Sequence, residues 1–185
     1  MAKQVEVGYD PLRLHSIRIR WSFPLPWDEA SFKEKRAEKE CGWYYVTRVW
    51  GNTETAIYIG KARGRIYKRV LQHSIDDSES PFLLKRGELF VRFGTVDNTH
   101  RNTIAKLARC YHTDRFLKTV ESALIQDARP LCNISQTNKY TRWYKLRIYN
   151  LGINHNLLSR IVDNSNDENV YDNPSWWEGQ LEDNG

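Results

Sequence analysis

The sequence predicts an α+β fold in which a small mixed or antiparallel β-sheet is flanked by helices. Two runs of β-branched and aromatic residues, 43–50 and 55–60, flank the turn segment Gly51–Glu54, which is typical of an antiparallel hairpin. After Gly64 the apolar residues change to helical spacing, and residues 88–96 return to a strand composition. Because the elements follow in the order hairpin, helix, strand and helices, we expect residues 88–96 to add a third strand to the sheet of the hairpin.

The N-terminal segment predicts a further strand over residues 11–23. Apolar and basic residues alternate there, which favours a half-buried strand with a basic outer face. The alternating residues are Ile17, Ile19 and Trp21 on one side and Arg18 and Arg20 on the other. We expect Pro24 and Pro26 to end this strand, and a short charged helix to follow over about residues 28–40.

Two helices with apolar stripes are predicted in the central part of the chain. The first covers residues 64–73, and the second lies in residues 101–128, whose helical pattern breaks near 112–114. After the break the apolar residues lie four apart as far as Ala128, and Pro130 is expected to stop the helix. The apolar residues of the two stripes are Ile66 and Val70 in the first helix and Phe116, Val120 and Leu124 in the second.

The length of 185 residues and the hydrophobic content of 40% predict a single domain with its own core. We divide it into an N-terminal extension at 1–41, a core at 42–135, and a basic and aromatic segment with an acidic tail at 136–185. The three cysteines form no C-x-x-C pair, so neither a disulfide framework nor a zinc site is expected. Without a long apolar run or a secretory signal, we expect a cytoplasmic protein without a membrane partner.

The charge is unevenly distributed along the chain. All 28 Lys and Arg residues lie in residues 1–160 against 16 acids, which gives this part a net charge of +12, whereas the last 25 residues hold seven acids and no base. A body this basic, with Trp and Tyr residues interleaved, favours a nucleic acid as partner over a merely solvated surface. Trp176 and Trp177 in the acidic tail suggest a docking or dimer element.

Few of the polar residues are persuasive one at a time. Tyr44 and Tyr58 fit half-buried strand positions, and Asn133 fits a turn after Pro130. Glu121 is harder to explain, because it lies in an otherwise apolar helical stretch where a carboxylate requires a partner or a metal ion.

Taken together, these residues match a known pattern. Gly42-Trp43-Tyr44, followed after 13 residues by Tyr58-Ile59-Gly60, resembles the signature of the GIY-YIG nuclease superfamily. Trp43 departs from the small aliphatic residue that is usual there. The further matches, in order and approximate spacing, are Arg69, His73, Glu121 and Asn133.

The resemblance implies metal-dependent phosphodiester hydrolysis. Glu121 would hold one Mg²⁺, for which Mn²⁺ would substitute, and Arg69 would clamp a phosphate oxygen. The spacing after Gly60 is one residue longer than the pattern, which makes Arg65 a second candidate for the catalytic arginine. Asn133 would brace the site through hydrogen bonds.

The same resemblance implies that a tyrosine takes up a proton during the reaction. A tyrosine needs nearby cations to act as a base at neutral pH, and Lys61 is one that would lower its pKa. We expect Tyr44 to be the base, relayed to His73, with Tyr58 positioning water or phosphate, although the family pattern supports either tyrosine.

The most similar branch is that of the small type II restriction enzymes, which implies double-stranded DNA as substrate and a possible homodimer. A homing or repair-type nuclease, or a binding module without catalysis, are the alternatives. Binding to duplex DNA is expected of the basic residues outside the catalytic set. They are Arg18, Arg20, Arg65, Lys139, Arg142, Lys145 and Arg147.

Overall fold

The computed structural model describes residues 14–27, 41–75, 87–97, 114–133, 144–154 and 156–164, and for 73–75 the backbone alone. Four of the sequence predictions lie outside these residues: the charged helix at 28–40, the first part of the helical stretch at 101–113, the basic residues Lys139 and Arg142, and the acidic tail.

The described residues form an α+β structure, as predicted. The elements are β1 (Leu14–Trp21), β2 (Leu25–Pro26), β3 (Gly42–Trp50), β4 (Thr53–Ala62), α1 (Ile66–Ile75), β5 (Glu88–Val96), α2 (Asp114–Ala128), β6 (Lys145–Leu151) and β7 (Ile161–Asp163). The strands form one sheet in the order β4-β3-β5-β1-β6-β7, with β2 paired to β5. The β1–β6 pair is parallel and the other pairs are antiparallel, so the sheet is mixed. Neither described helix is long and apolar enough to cross a membrane.

The predicted hairpin and third strand are present, and they form one half of the sheet. In the β3–β4 ladder Tyr44 lies opposite Gly60, and on the other side of β3 it lies opposite Phe93 of β5. The structure extends β4 beyond the predicted 55–60, to Thr53 at one end and Ala62 at the other. This extension brings Lys61 into the ladder opposite Trp43.

The prediction for the N-terminal strand was correct in its alternation and wrong about its end. Ile17 and Ile19 are buried, whereas Arg18 and Arg20 are exposed. The chain does leave β1 after Trp21, but it then resumes pairing at Leu25–Pro26, so the prolines do not end the strand. The reason is that a fixed proline φ is compatible with extended backbone.

Two strands in the C-terminal part were not predicted. Lys145–Leu151 was interpreted as a basic and aromatic segment, but it forms β6 beside β1, and Ile161–Asp163 adds β7. The alternation in β6 is present, with Leu146 and Ile148 buried, but the third inward position is Asn150. Its amide accepts a hydrogen bond from the Trp21 indole at 3.0 Å, which satisfies it within the core.

The helices cover opposite faces of the sheet. The core on one face joins the apolar side of α2 to Trp43, Tyr45 and Ile59 of the hairpin. The core on the other face joins Ile66 and Val70 of α1 to the remaining inward residues of β3–β5. Tyr44 belongs to this second face, so it lies on the side of the sheet that α1 covers.

The strand β4 lies at one edge of the sheet, and the segment that follows α2 closes this edge. The Cys132 backbone N–H donates to the Ile57 carbonyl at 2.9 Å. The Asn133 side chain binds Ile59 twice, accepting from its N–H at 2.8 Å and donating to its carbonyl at 3.0 Å. These bonds satisfy backbone groups that an edge strand would otherwise leave open.

Both glycines of the hairpin tripeptides lie where a side chain would collide. A Cβ on Gly42 would lie 2.2 Å from the Gly94 carbonyl oxygen. A Cβ on Gly60 would lie 2.3 Å from both Cζ and Oη of Tyr44, because the Tyr44 ring crosses over this residue. Gly60 is therefore required for the position that Tyr44 adopts.

We expect Gly60→Ala to lower the free energy of unfolding by about 1–3 kcal/mol, because the new methyl group must displace the buried Tyr44 ring. The matched control is Gly64→Ala, since a Cβ at Gly64 meets no atom within 4 Å. Urea unfolding of the two variants measures the difference. Equal stability of the two would contradict the close approach of Tyr44 to Gly60.

Candidate functional site

A cleft of about 680 Å³ lies where β4, the start of α1 and the first half of α2 meet. The hairpin and the adjoining α1 supply one part of its lining and the distant α2 supplies the other, because these elements converge at the β4 edge. Six of the residues singled out from the sequence line this cleft: Tyr44, Tyr58, Lys61, Arg65, Arg69 and Glu121.

The two tyrosines form a stacked pair at one side of the cleft. Their ring centroids are 5.8 Å apart with an interplanar angle of 28°. Tyr44 is 1% exposed, whereas Tyr58 is only half-buried. Burial raises the pKa of Tyr44 most, the negative charge of an ionised Tyr58 raises it further, and the nearby Arg69 lowers it; a hydrogen bond with Tyr58 also raises it. The raised pKa keeps Tyr44 protonated at neutral pH.

Glu121 reaches the cleft from the middle of α2, where it is 6% exposed. Its carboxylate accepts a hydrogen bond from the Lys61 backbone N–H. Burial raises the pKa of Glu121 to about 7, and the Lys61 ammonium and backbone N–H act in the opposite direction. A carboxylate that is this buried and faces a polar cleft is typical of a functional group, because burial of the charge opposes folding.

Basic side chains dominate the rest of the lining. Besides Lys61, the exposed cations are Arg63, Arg65, Lys68, Arg69 and Lys118. Two carboxylates, those of Asp114 and Glu121, face these six cations. The cleft therefore carries a net positive charge, which suits a phosphate group.

The sequence pattern did not single out four of the charged lining residues: Arg63, Lys68, Asp114 and Lys118. A signal for two of them was present. Asp114, Lys118 and Glu121 are spaced four and three residues apart, which places them on one face of a helix. Asp114 is also the first residue of α2, where it binds Lys61.

Of the predicted catalytic set, Asn133 is absent from the described lining of the cleft, and the side chain of His73 is not described. Asn133 lies behind the cleft, where its double hydrogen bond holds Ile59 between Tyr58 and Gly60. This contact agrees with a bracing role. His73 lies on α1, four residues after Arg69, and its side chain is outside the described part of the chain.

Four of the residues expected to contact DNA lie on one face of the sheet, where they are exposed or half-buried among the described residues. Arg18 and Arg20 on β1 alternate with the buried residues, and so do Lys145 and Arg147 on the paired strand β6. Arg20 pairs with Asp97 at 3.1 Å. Arg147 pairs with Asp163 at 2.7 Å. The four cations alternate along β1 and β6 with core residues that α2 covers, so they point to the opposite face of the sheet. Tyr44 belongs to this same opposite face.

The donor set of the cleft fits Mg²⁺. The described residues contain no group of three or more His, Cys, Asp or Glu side chains that could enclose a metal ion. A buried carboxylate at an open cleft suits Mg²⁺, which retains most of its water ligands and takes one or two carboxylates from a protein.

No family model matches the chain, and searches of curated proteins and of solved structures found no match.

We expect Glu121→Gln to stabilise the folded protein at alkaline pH in the presence of a chelator. Because the folded-state pKa of Glu121 is about 7 against an ordinary 4.5, the free energy of unfolding of the unsubstituted protein falls as the pH rises between these values. The stability advantage of the variant therefore grows by about 2 kcal/mol between about pH 5 and about pH 8.

Urea unfolding at both pH values measures this change. Glu88→Gln, at an exposed position, is the matched control and is expected to show no comparable gain. A Glu121→Gln variant whose advantage is the same at both pH values would contradict the burial of an ionisable carboxyl at this position.

Proposed function

We propose that this chain is a Mg²⁺-dependent endonuclease of the GIY-YIG superfamily that hydrolyses phosphodiester bonds of double-stranded DNA. The observation that carries the proposal is the cleft itself. It brings Tyr44 and Tyr58 together with Arg69 and Glu121, although 77 positions separate the first from the last. A fold that buried these residues separately would give no reason to connect them with one reaction.

Each part of the cleft has a role in this reaction. Glu121 would hold the ion, whose chemistry is to polarise the phosphate and to stabilise the oxygen that leaves. Arg69 is positioned to bind a non-bridging phosphate oxygen with its fork of donors, and Arg65 lies on the same rim. Lys61 adds positive charge to the cleft, where negative charge develops in the transition state.

Burial favours Tyr58 over Tyr44 as the general base. A base must release and accept a proton at the cleft, and Tyr44 is buried with a raised pKa, whereas Tyr58 is only half-buried. Tyr44 then donates its hydroxyl hydrogen bond to Tyr58 and stabilises the phenolate there. The sequence pattern leads to the expectation that Tyr44 is the base, whereas this assignment gives that role to Tyr58.

The sheet face that carries Arg18, Arg20, Lys145 and Arg147 extends the proposal to the bound duplex. The cations of β1 and β6 would contact phosphates of the DNA on the same side of the sheet as the cleft. A type II restriction enzyme that cuts a palindromic site would act as a two-fold dimer, which belongs to the same proposal, as does a cytoplasmic location in a bacterial or phage-like setting.

The first test is cleavage of supercoiled plasmid with Mg²⁺ by the wild-type protein, Glu121→Gln and Glu88→Gln. We expect discrete fragments from the wild type and Glu88→Gln, and a loss of about 10²-fold or more in rate for Glu121→Gln, because the ion loses its protein ligand. Because Glu121→Gln is expected to be stably folded, urea unfolding of the variant separates the loss of the metal ligand from a loss of the fold.

Each other outcome selects an alternative. Unspecific nicking that depends on Glu121 would retain the nuclease and favour a homing or repair-type enzyme. Binding of duplex DNA without cleavage would favour a binding module, and its affinity would fall steeply with salt.

The tyrosine assignment predicts two different pH profiles of the cleavage rate. Tyr58→Phe removes the base and lowers the rate by about 10²-fold or more at every pH. Tyr44→Phe removes only the donor to the phenolate, so the rising limb of the profile moves to higher pH and the rate recovers there. Single-turnover cleavage across the pH range measures both. Recovery in Tyr58→Phe and none in Tyr44→Phe would make Tyr44 the base.

A further inference from the structure

Lys61 is held by α2 at two points. Its backbone N–H donates to the Glu121 carboxylate, and its side-chain ammonium donates to the Asp114 carboxylate two helical turns away. Asp114 also faces Arg63, whose Nε lies 3.9 Å from the same carboxylate oxygen. One lysine therefore lies between two carboxylates of the same helix, with its ammonium directed to Asp114.

This arrangement decides which carboxylate the ammonium neutralises. The backbone of Lys61 is already in contact with Glu121, and a lysine side chain has four rotatable methylene groups. Without a partner at Asp114, the other carboxylate among the described residues of the cleft lining is that of Glu121. An ammonium paired with Glu121 would compete there with any divalent cation.

We propose that Asp114 is a positioning residue that keeps the Lys61 ammonium away from Glu121, so that the Glu121 carboxylate is available to a divalent cation. This inference rests on the proposed function in one respect, namely that Glu121 is the ligand of the ion. This role is distinct from ligation, because Asp114 acts on the Lys61 ammonium, and the Oδ1 atom that binds Lys61 also faces Arg63.

The contacts of Asp114 agree with a positioning role and not with a core role. Its side chain is 44% exposed, and that of Lys61 is 22% exposed. An exposed pair of this kind contributes little to folding. Asn is close to Asp in size and keeps a side-chain oxygen that accepts hydrogen bonds, so the fold is expected to tolerate Asp114→Asn.

The test is binding of Mg²⁺ itself, measured by isothermal titration calorimetry without DNA. The proteins are the wild type, Asp114→Asn, Lys61→Met, the double variant and Glu121→Gln, each checked for folding by circular dichroism. Asp127→Asn, at the far end of α2, is the control for loss of one negative charge, because its acceptor bond from the Ser159 N–H is one that Asn can also accept.

We expect Asp114→Asn to weaken Mg²⁺ binding about five- to ten-fold, and Asp127→Asn to change it little. In the Lys61→Met background no ammonium is left to move, so Asp114→Asn is expected to weaken binding by about two-fold or less, through the lost charge alone. A role of Asp114 in helix stability would instead give the same loss in both backgrounds.

Two results overturn the proposal in different ways. Mg²⁺ binding that disappears in Glu121→Gln but is unchanged in Asp114→Asn leaves the cation site in place and removes the role of Asp114. Mg²⁺ binding that is absent in the wild type, or unaffected by Glu121→Gln, removes the cation site of the proposed function and the role of Asp114 with it.

Discussion

The position of β4 at the edge of the sheet is the constraint on which the rest of the structure depends. An edge strand leaves every second N–H and C=O pair without a neighbouring strand, and buried backbone groups require partners. Here α2 and the segment after it supply them: Cys132 at Ile57, Asn133 at Ile59, and the Glu121 side chain at Lys61. The hydrogen bonds that complete the sheet therefore also bring a carboxylate from α2 to the end of the hairpin.

The other half of the cleft depends on a close packing contact within the hairpin. Because Gly60 has no side chain, the ring of the opposite Tyr44 can cross it and stack against Tyr58. This contact leaves one tyrosine buried and its partner half-exposed, and burial raises the pKa of the buried Tyr44. The buried Glu121 is a comparable case, since its ionised form is unfavourable for folding and is suited to binding a cation.

The charges of the cleft are ordered by geometry as well as by sign. The cations come from the end of β4, the turn before α1, α1 itself and α2, whereas both carboxylates come from the face of α2 that also carries Lys118. Lys61 connects them, with its backbone at Glu121 and its ammonium at Asp114. A phosphate approaching the rim would meet positive charge before it reached the buried carboxylate, an order of contacts that suits a polyanionic substrate.

The sequence by itself determined the local elements, because their signals are local. The aromatic and β-branched runs around Gly51, the period-two pattern of Ile17 and Ile19, and the stripe of Phe116, Val120 and Leu124 each depend on neighbours a few residues away. It also indicated six of the cleft residues, through a family pattern. Only the tertiary structure decided that β6 pairs with β1, that Asn133 binds the edge of β4, and that Asp114 takes the ammonium of Lys61. The physical reason is that these contacts join residues that are from 53 to 131 positions apart, and hydrogen bonds over such separations leave no periodicity in the chain.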